Sequence, residues 1–181
     1  MTASRYLIIQ TAFLGDVVLA LPMAAYIKQK DSDAKVDMVV RPDAVPIAEA
    51  CPDVNHVYSF DKRGKNRGWF GIVRMAKHLR RKSYTAVFTP QRFLRSTLLS
   101  HATRIPNRYG FDKNVFPWLY TQKVPYQQRV HEIGRNLSLV RAHWHELSRE
   151  YILPRLTVEK VKSKTITITI APGAVWYTKR W

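Results

Sequence analysis

Short β-branched apolar runs alternate along the chain with longer segments whose apolar positions recur at helical spacing. That alternation is the pattern of βα units feeding a parallel sheet, so the fold class expected is α/β. Strands are predicted near Tyr6–Gln10, Lys35–Val40, His56–Phe60, Ala86–Thr89 and Arg108–Gly110. Helices are predicted near Val17–Lys30, Ala44–Ala50, Trp69–Arg81 and Leu94–His101. A longer helix is expected near Glu132–Arg149, where Ile133, Leu137, Val140, Trp144 and Leu147 follow at steps of four and three as one core-facing stripe. Pro22 interrupts the first helix, and two readings fit: a kink in a helix begun at Asp16, or a place in the first turn of a helix that starts later. Beyond Tyr151 the pattern changes to a linker-like opening, an alternating strand over Thr165–Ile170 and a turn at Pro172-Gly173, and the chain ends eleven residues after that strand. Because such a strand needs neighbours, residues 1–153 are expected to form one domain and residues 154–181 the linker and first strand of a truncated second.

Hydrophobic residues make up 46% and charged residues 24% of the 181, ordinary values for a folded chain. A lone cysteine, Cys51, excludes an intramolecular disulfide and any cysteine-based metal site, and reads as a buried structural thiol of a cytoplasmic protein. Arg5 before an apolar stretch imitates a secretory leader, but Asp16 interrupts that stretch, so no leader is expected. No uncharged run approaches the ~20 residues of a membrane span. The formal charge of +17 changes the picture more, because it is unevenly spread. From Lys62 to Phe111 there are thirteen Lys and Arg (62, 63, 65, 67, 74, 77, 80, 81, 82, 92, 95, 104 and 108) and no Asp or Glu. Such a block calls for an anionic partner: nucleic acid, an anionic membrane, or a phosphorylated or carboxylated substrate.

Three stretches carry candidate chemistry. In "LIIQTAFLGDVVLALP" an apolar strand enters a turn with one glycine, Gly15, and an acid, Asp16, where a dinucleotide fingerprint would have further glycines. Asp16 fits either an ordinary helix N-cap or an acid at the carboxyl edge of a parallel sheet, where ligands bind. A carboxylate there repels nucleotide phosphates and suits a base facing a hydroxyl. The loop "DKRGKNRGWF" offers Arg63, Lys65 and Arg67 as a mobile clamp on phosphate or carboxylate, or as plain surface. After the Ala86–Thr89 strand, Gln91, Arg92 and Ser96 again fall at a strand's carboxyl edge. His131 opens the long helix, whereas His143 and His145 diverge as i and i+2 on a helix and do not chelate. "DSD" at 31–33 falls on the opposite side of the sheet from Asp16, so no metal is expected. Trp176 and Trp181 flank "YTKR" and either stack a base or pack.

Taken in order, "FLGDVVLALPMAAYIK", "FDKRGKNRG", "RFLRSTLLSHATRIPNRYGFD", "HEIGRNLSLV" and "APGAVWYTKRW" resemble the lipopolysaccharide heptosyltransferases, glycosyltransferases of GT-B fold. The resemblance implies two Rossmann-like domains across a cleft, the first for the acceptor and the second for ADP-heptose. It maps the catalytic base onto Asp16, and donor contacts onto Gly15, Thr178 and Lys179, the lysine lying against the diphosphate. By position it sets Arg63, Lys65, Arg67, Arg92 and His131 against a phosphorylated lipid A–Kdo core acceptor. The implied reaction is inverting heptosyl transfer without a cofactor, at the cytoplasmic face of the inner membrane with peripheral contact, and a fragment of this length is expected to be inactive alone. Two rival classes use the same residues. A nucleic-acid module would stack bases on Tyr84, Phe88, Phe93 and Tyr109, and a membrane-surface module would use "GWFGIVRMAKHLRRK".

Overall fold

The computed structural model describes residues 3–62, 64–147 and 150–157. Strands β1 (Arg5–Ile9), β2 (Lys35–Val40), β3 (His56–Ser59), β4 (Ala86–Thr89), β5 (Asn107–Phe111) and β6 (Gln122–Val124) form one sheet. Its order is β3-β2-β1-β4-β5-β6, with every adjacent pair parallel. The five expected strands are present within a residue or two of their predicted ends. β6 was not expected, because Gln122 and Lys123 are exposed and only Val124 is buried, leaving no apolar run to read.

The two-residue period of the strands divides the core into two layers. Tyr6 and Ile8 of β1, Met38 and Val40 of β2, Phe88 of β4 and Phe111 of β5 face one layer. It is closed by α1 (Leu14–Val18), α2 (Leu21–Lys30), α3 (Val45–Glu49) and α6 (Glu132–His143). Leu7, Ile9, Val39 and Val87 face the other, under α4 (Gly68–Arg80) and α5 (Leu94–Ala102), which bring Ile72, Ala76, Leu79 and Leu99. In that second layer one buried acid interrupts the apolar alternation. Asp37 accepts a hydrogen bond from the Tyr84 hydroxyl at 2.5 Å, with Arg5 Nε 3.8 Å from the same oxygen. Burial and this carboxylate push the Tyr84 hydroxyl pKa far up, so it stays a donor.

Two helix predictions are corrected. The segment predicted as one helix over Val17–Lys30 is two, and Pro22 occupies the first turn of α2, where its missing N–H costs nothing. The long helix ends at His143 rather than Arg149. His145 has φ 55° and the Glu146 N–H returns to the Arg141 carbonyl at 3.0 Å, the Schellman closure of a helix. A histidine takes the left-handed position that glycine usually fills, so the stop carried no signal in the sequence; Tyr26 and Lys30 then bind the Glu146 carboxylate. Leu147, assigned to the stripe, is exposed, whereas Ile133, Leu137 and Val140 are in the core and Trp144 packs against it.

Residues 150–157 run without regular structure and are tied back to the sheet layer. Thr157 N–H donates to the Ala50 carbonyl at 2.7 Å, and Arg155 pairs with Asp53 at 2.5 Å. The predicted strand Thr165–Ile170, together with Trp176, Thr178, Lys179 and Trp181, lies outside the described residues, as does Arg63.

Candidate functional site

In this order successive strands are added to one side of β1 as far as β3 and to its other side from β4 onward, so the order of succession reverses between β1 and β4, and loops leaving their carboxyl ends part on either side of that point. The loops after four neighbouring strands meet there. Thr11, Ala12 and Phe13 follow β1, Arg41, Pro42 and Asp43 follow β2, Phe60, Asp61 and Lys62 follow β3, and Gln91 and Phe93 follow β4. Together they line a cleft of about 450 Å³.

A polar knot joins two of the loops that line the cleft. The Gln91 Oε1 accepts from the Thr11 N–H at 3.0 Å, the Thr11 hydroxyl at 2.8 Å and the Ser96 hydroxyl at 2.9 Å, and the two hydroxyls lie 3.0 Å apart. All three residues are buried, so the loops after β1 and β4 are bound to each other out of solvent. Lys62 crosses from the β3 side and donates through Nζ to the Thr11 carbonyl at 2.8 Å, while Arg95 donates to the Lys62 carbonyl at 2.9 Å. Partial burial, with Arg41 and Arg95 nearby, lowers the Lys62 pKa to about 8. Arg41 is paired with Asp43 and lies 5.1 Å from the Phe13 ring centre, whereas Lys62 spends its charge on a neutral carbonyl. Lys62 thus brings to the cleft a cation that its own hydrogen-bond acceptor does not neutralise, in a lining that sets Arg41 and Lys62 against Asp43 and Asp61.

Asp16 is in the segment that follows the cleft wall Thr11–Phe13, but it is not the N-cap residue of the helix. Phe13 is the N-cap residue, α1 begins at Leu14, and Asp16 is its third position. From there Oδ2 accepts the Phe13 N–H at 3.0 Å, the return half of a capping box. The carboxylate is held at the positive end of the helix with one oxygen engaged by backbone. Gly15 is exposed on the same turn.

The other predicted contacts are not gathered in one place. Lys65 and Arg67 are exposed and do not line the cleft. Hydrogen bonds brace their loop: Asp61 N–H donates to Asn66 Oδ1, Gly64 N–H to Asp61 Oδ1, and Asn66 N–H to the Asp61 carbonyl, all near 3 Å. Arg92 stands between the lining residues Gln91 and Phe93, with its guanidinium 4.2 Å from the Tyr126 ring centre. His131 is the N-cap of α6, its Nδ1 accepting the Ile133 N–H at 3.3 Å, and it faces a separate cavity of about 990 Å³ with Arg129, Arg141 and Tyr151. Of the aromatics suggested for base stacking, Tyr84, Phe88 and Tyr109 are buried and only Phe93 is exposed, so they form no stacking platform. Sequence reading placed Gln91 and Ser96 at the sheet edge but missed Thr11, Arg41, Lys62 and Arg95. The available signal for Thr11, Arg41 and Lys62 was their position just beyond strand ends, whereas Arg95 lies inside α5.

The sequence profile of glycosyltransferase family 9 (heptosyltransferase) matches residues 72–181. The chain belongs to that family. Lipopolysaccharide heptosyltransferase 3 of Escherichia coli (strain K12) is 28% identical over 135 residues, 70% of this chain and 38% of that protein. A glycosyl transferase family 9 structure from Veillonella parvula superposes with TM-score 0.77 at 15% identity, over 88% of this chain and 47% of that one. E. coli heptosyltransferase WaaC, solved with ADP, gives TM-score 0.66 at 23% identity over 76% of this chain and 46% of WaaC. These likenesses establish the Rossmann-like α/β fold that the resemblance implied. The family 9 chain spans less than half the length of the relatives it matches.

Proposed function

We propose that this chain is the acceptor-side portion of a transferase that moves heptose from ADP-heptose to the phosphorylated lipid A–Kdo core of lipopolysaccharide, with inversion at the anomeric carbon. The observation that carries the reading is the placement of Asp16 just after the β1 loop, beside a cleft at the switch point of the sheet, in a chain of the heptosyltransferase family. WaaC has been solved with ADP and with ADP-2-deoxy-2-fluoro heptose, which supports a nucleotide-sugar donor here too.

In this reading Asp16 takes the proton of the acceptor hydroxyl as its oxygen attacks the anomeric carbon and the bond to ADP breaks. The Phe13 N–H holds one carboxylate oxygen in place and leaves the other to receive the proton. General-base help of this kind is worth ~10²–10⁴ in rate. Lys62 meets an anionic group of the acceptor in the cleft, with Arg92 at its rim. Lys179 and Thr178, by resemblance alone, face the diphosphate across the junction between residues 1–153 and the second domain begun at 154–181, where a cation offsets the charge growing on the leaving ADP.

The test has two arms. The purified chain should bind a phosphorylated lipid A–Kdo core fragment in preference to an oligonucleotide of equal charge, and lose that preference in Lys62→Met. In the complete enzyme, Asp16→Asn should lower turnover by ~10²–10⁴ with little change in ADP-heptose affinity. Equal affinity for both polyanions, or an Asp16→Asn enzyme within tenfold of wild type, would refute the assignment.

A further inference from the structure

The helix α4 has two faces of opposite character. Ile72, Ala76 and Leu79 are buried in the layer it shares with α5. On the opposite side, Trp69, Phe70 and Val73 are 58%, 86% and 43% exposed, and Arg74, Lys77, Arg80, Arg81 and Lys82 are exposed beside or just after them.

The start of α4 is built so that the two aromatics stay outside. Gly68 has φ +70°, a conformation that residues with a Cβ adopt only at a cost, and it turns the chain into the helix. A Cβ at Gly71 would lie 2.2 Å from the Asn66 carbonyl oxygen, so the basic loop packs directly on the helix backbone at that point. The side of α4 at Gly71 is therefore filled by the loop, and Trp69 and Phe70 are left in solvent. Arg74 and Arg80 donate to the carbonyls of Lys65 and Ala102, contacts that orient the guanidinium groups without neutralising them. No Asp or Glu occurs between Lys62 and Phe111 to offset the charge along this segment.

Large exposed apolar side chains grouped on one face mark an interaction surface. Aromatic residues at one end of a helix whose outer face is otherwise cationic match the boundary between headgroups and acyl chains, where rings insert and Lys and Arg meet anionic headgroups. A nucleic acid would gain little from Val73 or from an aromatic pair at a helix start, and of the other aromatics between Lys62 and Phe111 only Phe93 is exposed while Tyr84, Phe88, Tyr109 and Phe111 are buried.

We propose that the outer face of α4 docks the protein on a bilayer surface with anionic headgroups, Trp69, Phe70 and Val73 inserting and Arg74, Lys77, Arg80, Arg81 and Lys82 forming the electrostatic rim. The docking does not depend on the chemistry assigned to the cleft. It is read with vesicles that contain no saccharide, so its failure leaves the transferase reading untouched.

The experiment is sedimentation of the purified chain with vesicles of phosphatidylethanolamine and phosphatidylglycerol, and with vesicles of phosphatidylcholine alone. Wild type should partition onto the anionic vesicles and hardly onto the neutral ones, with binding that falls as salt rises. Trp69→Ser/Phe70→Ser and Lys77→Glu/Arg81→Glu should each weaken partitioning by about tenfold or more at an unchanged melting temperature, since these side chains are exposed. Trp118→Ser, another exposed tryptophan, should bind as wild type does. The proposal is overturned by absence of vesicle binding, by equal binding to both lipid mixtures, by Trp69→Ser/Phe70→Ser binding as wild type, or by Trp118→Ser reproducing the loss.

Discussion

Replacement of Gln91 by alanine isolates the energetic worth of the knot that joins β1 to β4. The side-chain oxygen of Gln91 serves three donors, but an amide oxygen has two lone pairs, so the bonds are not three independent ones. With Gln91→Ala the Thr11 N–H, in a residue 1% exposed, loses its partner, and a buried unpaired donor costs ~1–3 kcal/mol. The Thr11 and Ser96 hydroxyls still bond each other at 3.0 Å, so the pair loses roughly one further bond, worth about 1 kcal/mol. The expected destabilisation is ~2–4 kcal/mol, a large share of the ~5–15 kcal/mol that holds a typical domain together. Ser96→Ala removes one donor and leaves the Thr11 N–H satisfied, so it should cost about 1 kcal/mol. Urea unfolding followed by circular dichroism measures both, provided the slope of the transition is unchanged. A Gln91→Ala loss below about 1 kcal/mol, or equal losses for the two variants, would refute the assignment of Gln91 as the buried acceptor that joins the loops after β1 and β4.

Lys62 gives the site a pH dependence whose sign follows from its lowered pKa. The folded value of about 8 lies below the ordinary lysine value of 10.5, so between these the unfolded chain holds more protons and stability should rise with pH. Below about pH 8 both states are protonated and the full penalty is present; Lys62→Met should raise stability there and flatten the slope, as thermal melts across the range would register. Affinity for a phosphorylated saccharide should move the opposite way, falling as pH rises through about 8 in wild type but not in Lys62→Met, in a titration at constant ionic strength. Tyr84→Phe removes the donor at 2.5 Å from buried Asp37 and should cost ~1.5–3 kcal/mol, the range for hydrogen bonds to charged groups. Its urea unfolding midpoint should fall at an unchanged slope, and a loss below about 1 kcal/mol would count against this account.

What was legible in the amino-acid order is what neighbouring residues decide among themselves. Val36, Met38 and Val40 alternate with the pleat, and Ile72, Ala76 and Leu79 recur with the helical turn, so strands and helices announced themselves. The cationic run from Lys62 to Phe111 was equally plain, and so was a carboxylate soon after the first strand. The end of α6 was hidden because His145, not glycine, takes the left-handed position, and β6 was hidden because two of its three residues are exposed and polar.

Tertiary structure alone decided which of these groups meet. Thr11 and Gln91 are 80 positions apart, and Lys62 and Thr11 are 51 apart. They touch because β4 pairs with β1 and because β3 and β2 lie on its other side, an order that no local period encodes. The same order made Lys62 a lining cation while leaving Lys65 and Arg67 outside, although all three belong to one basic loop. Sequence periodicity names the faces of elements; the pairing of faces, and hence the site, follows from how six strands minimise exposed apolar surface and unpaired backbone at once.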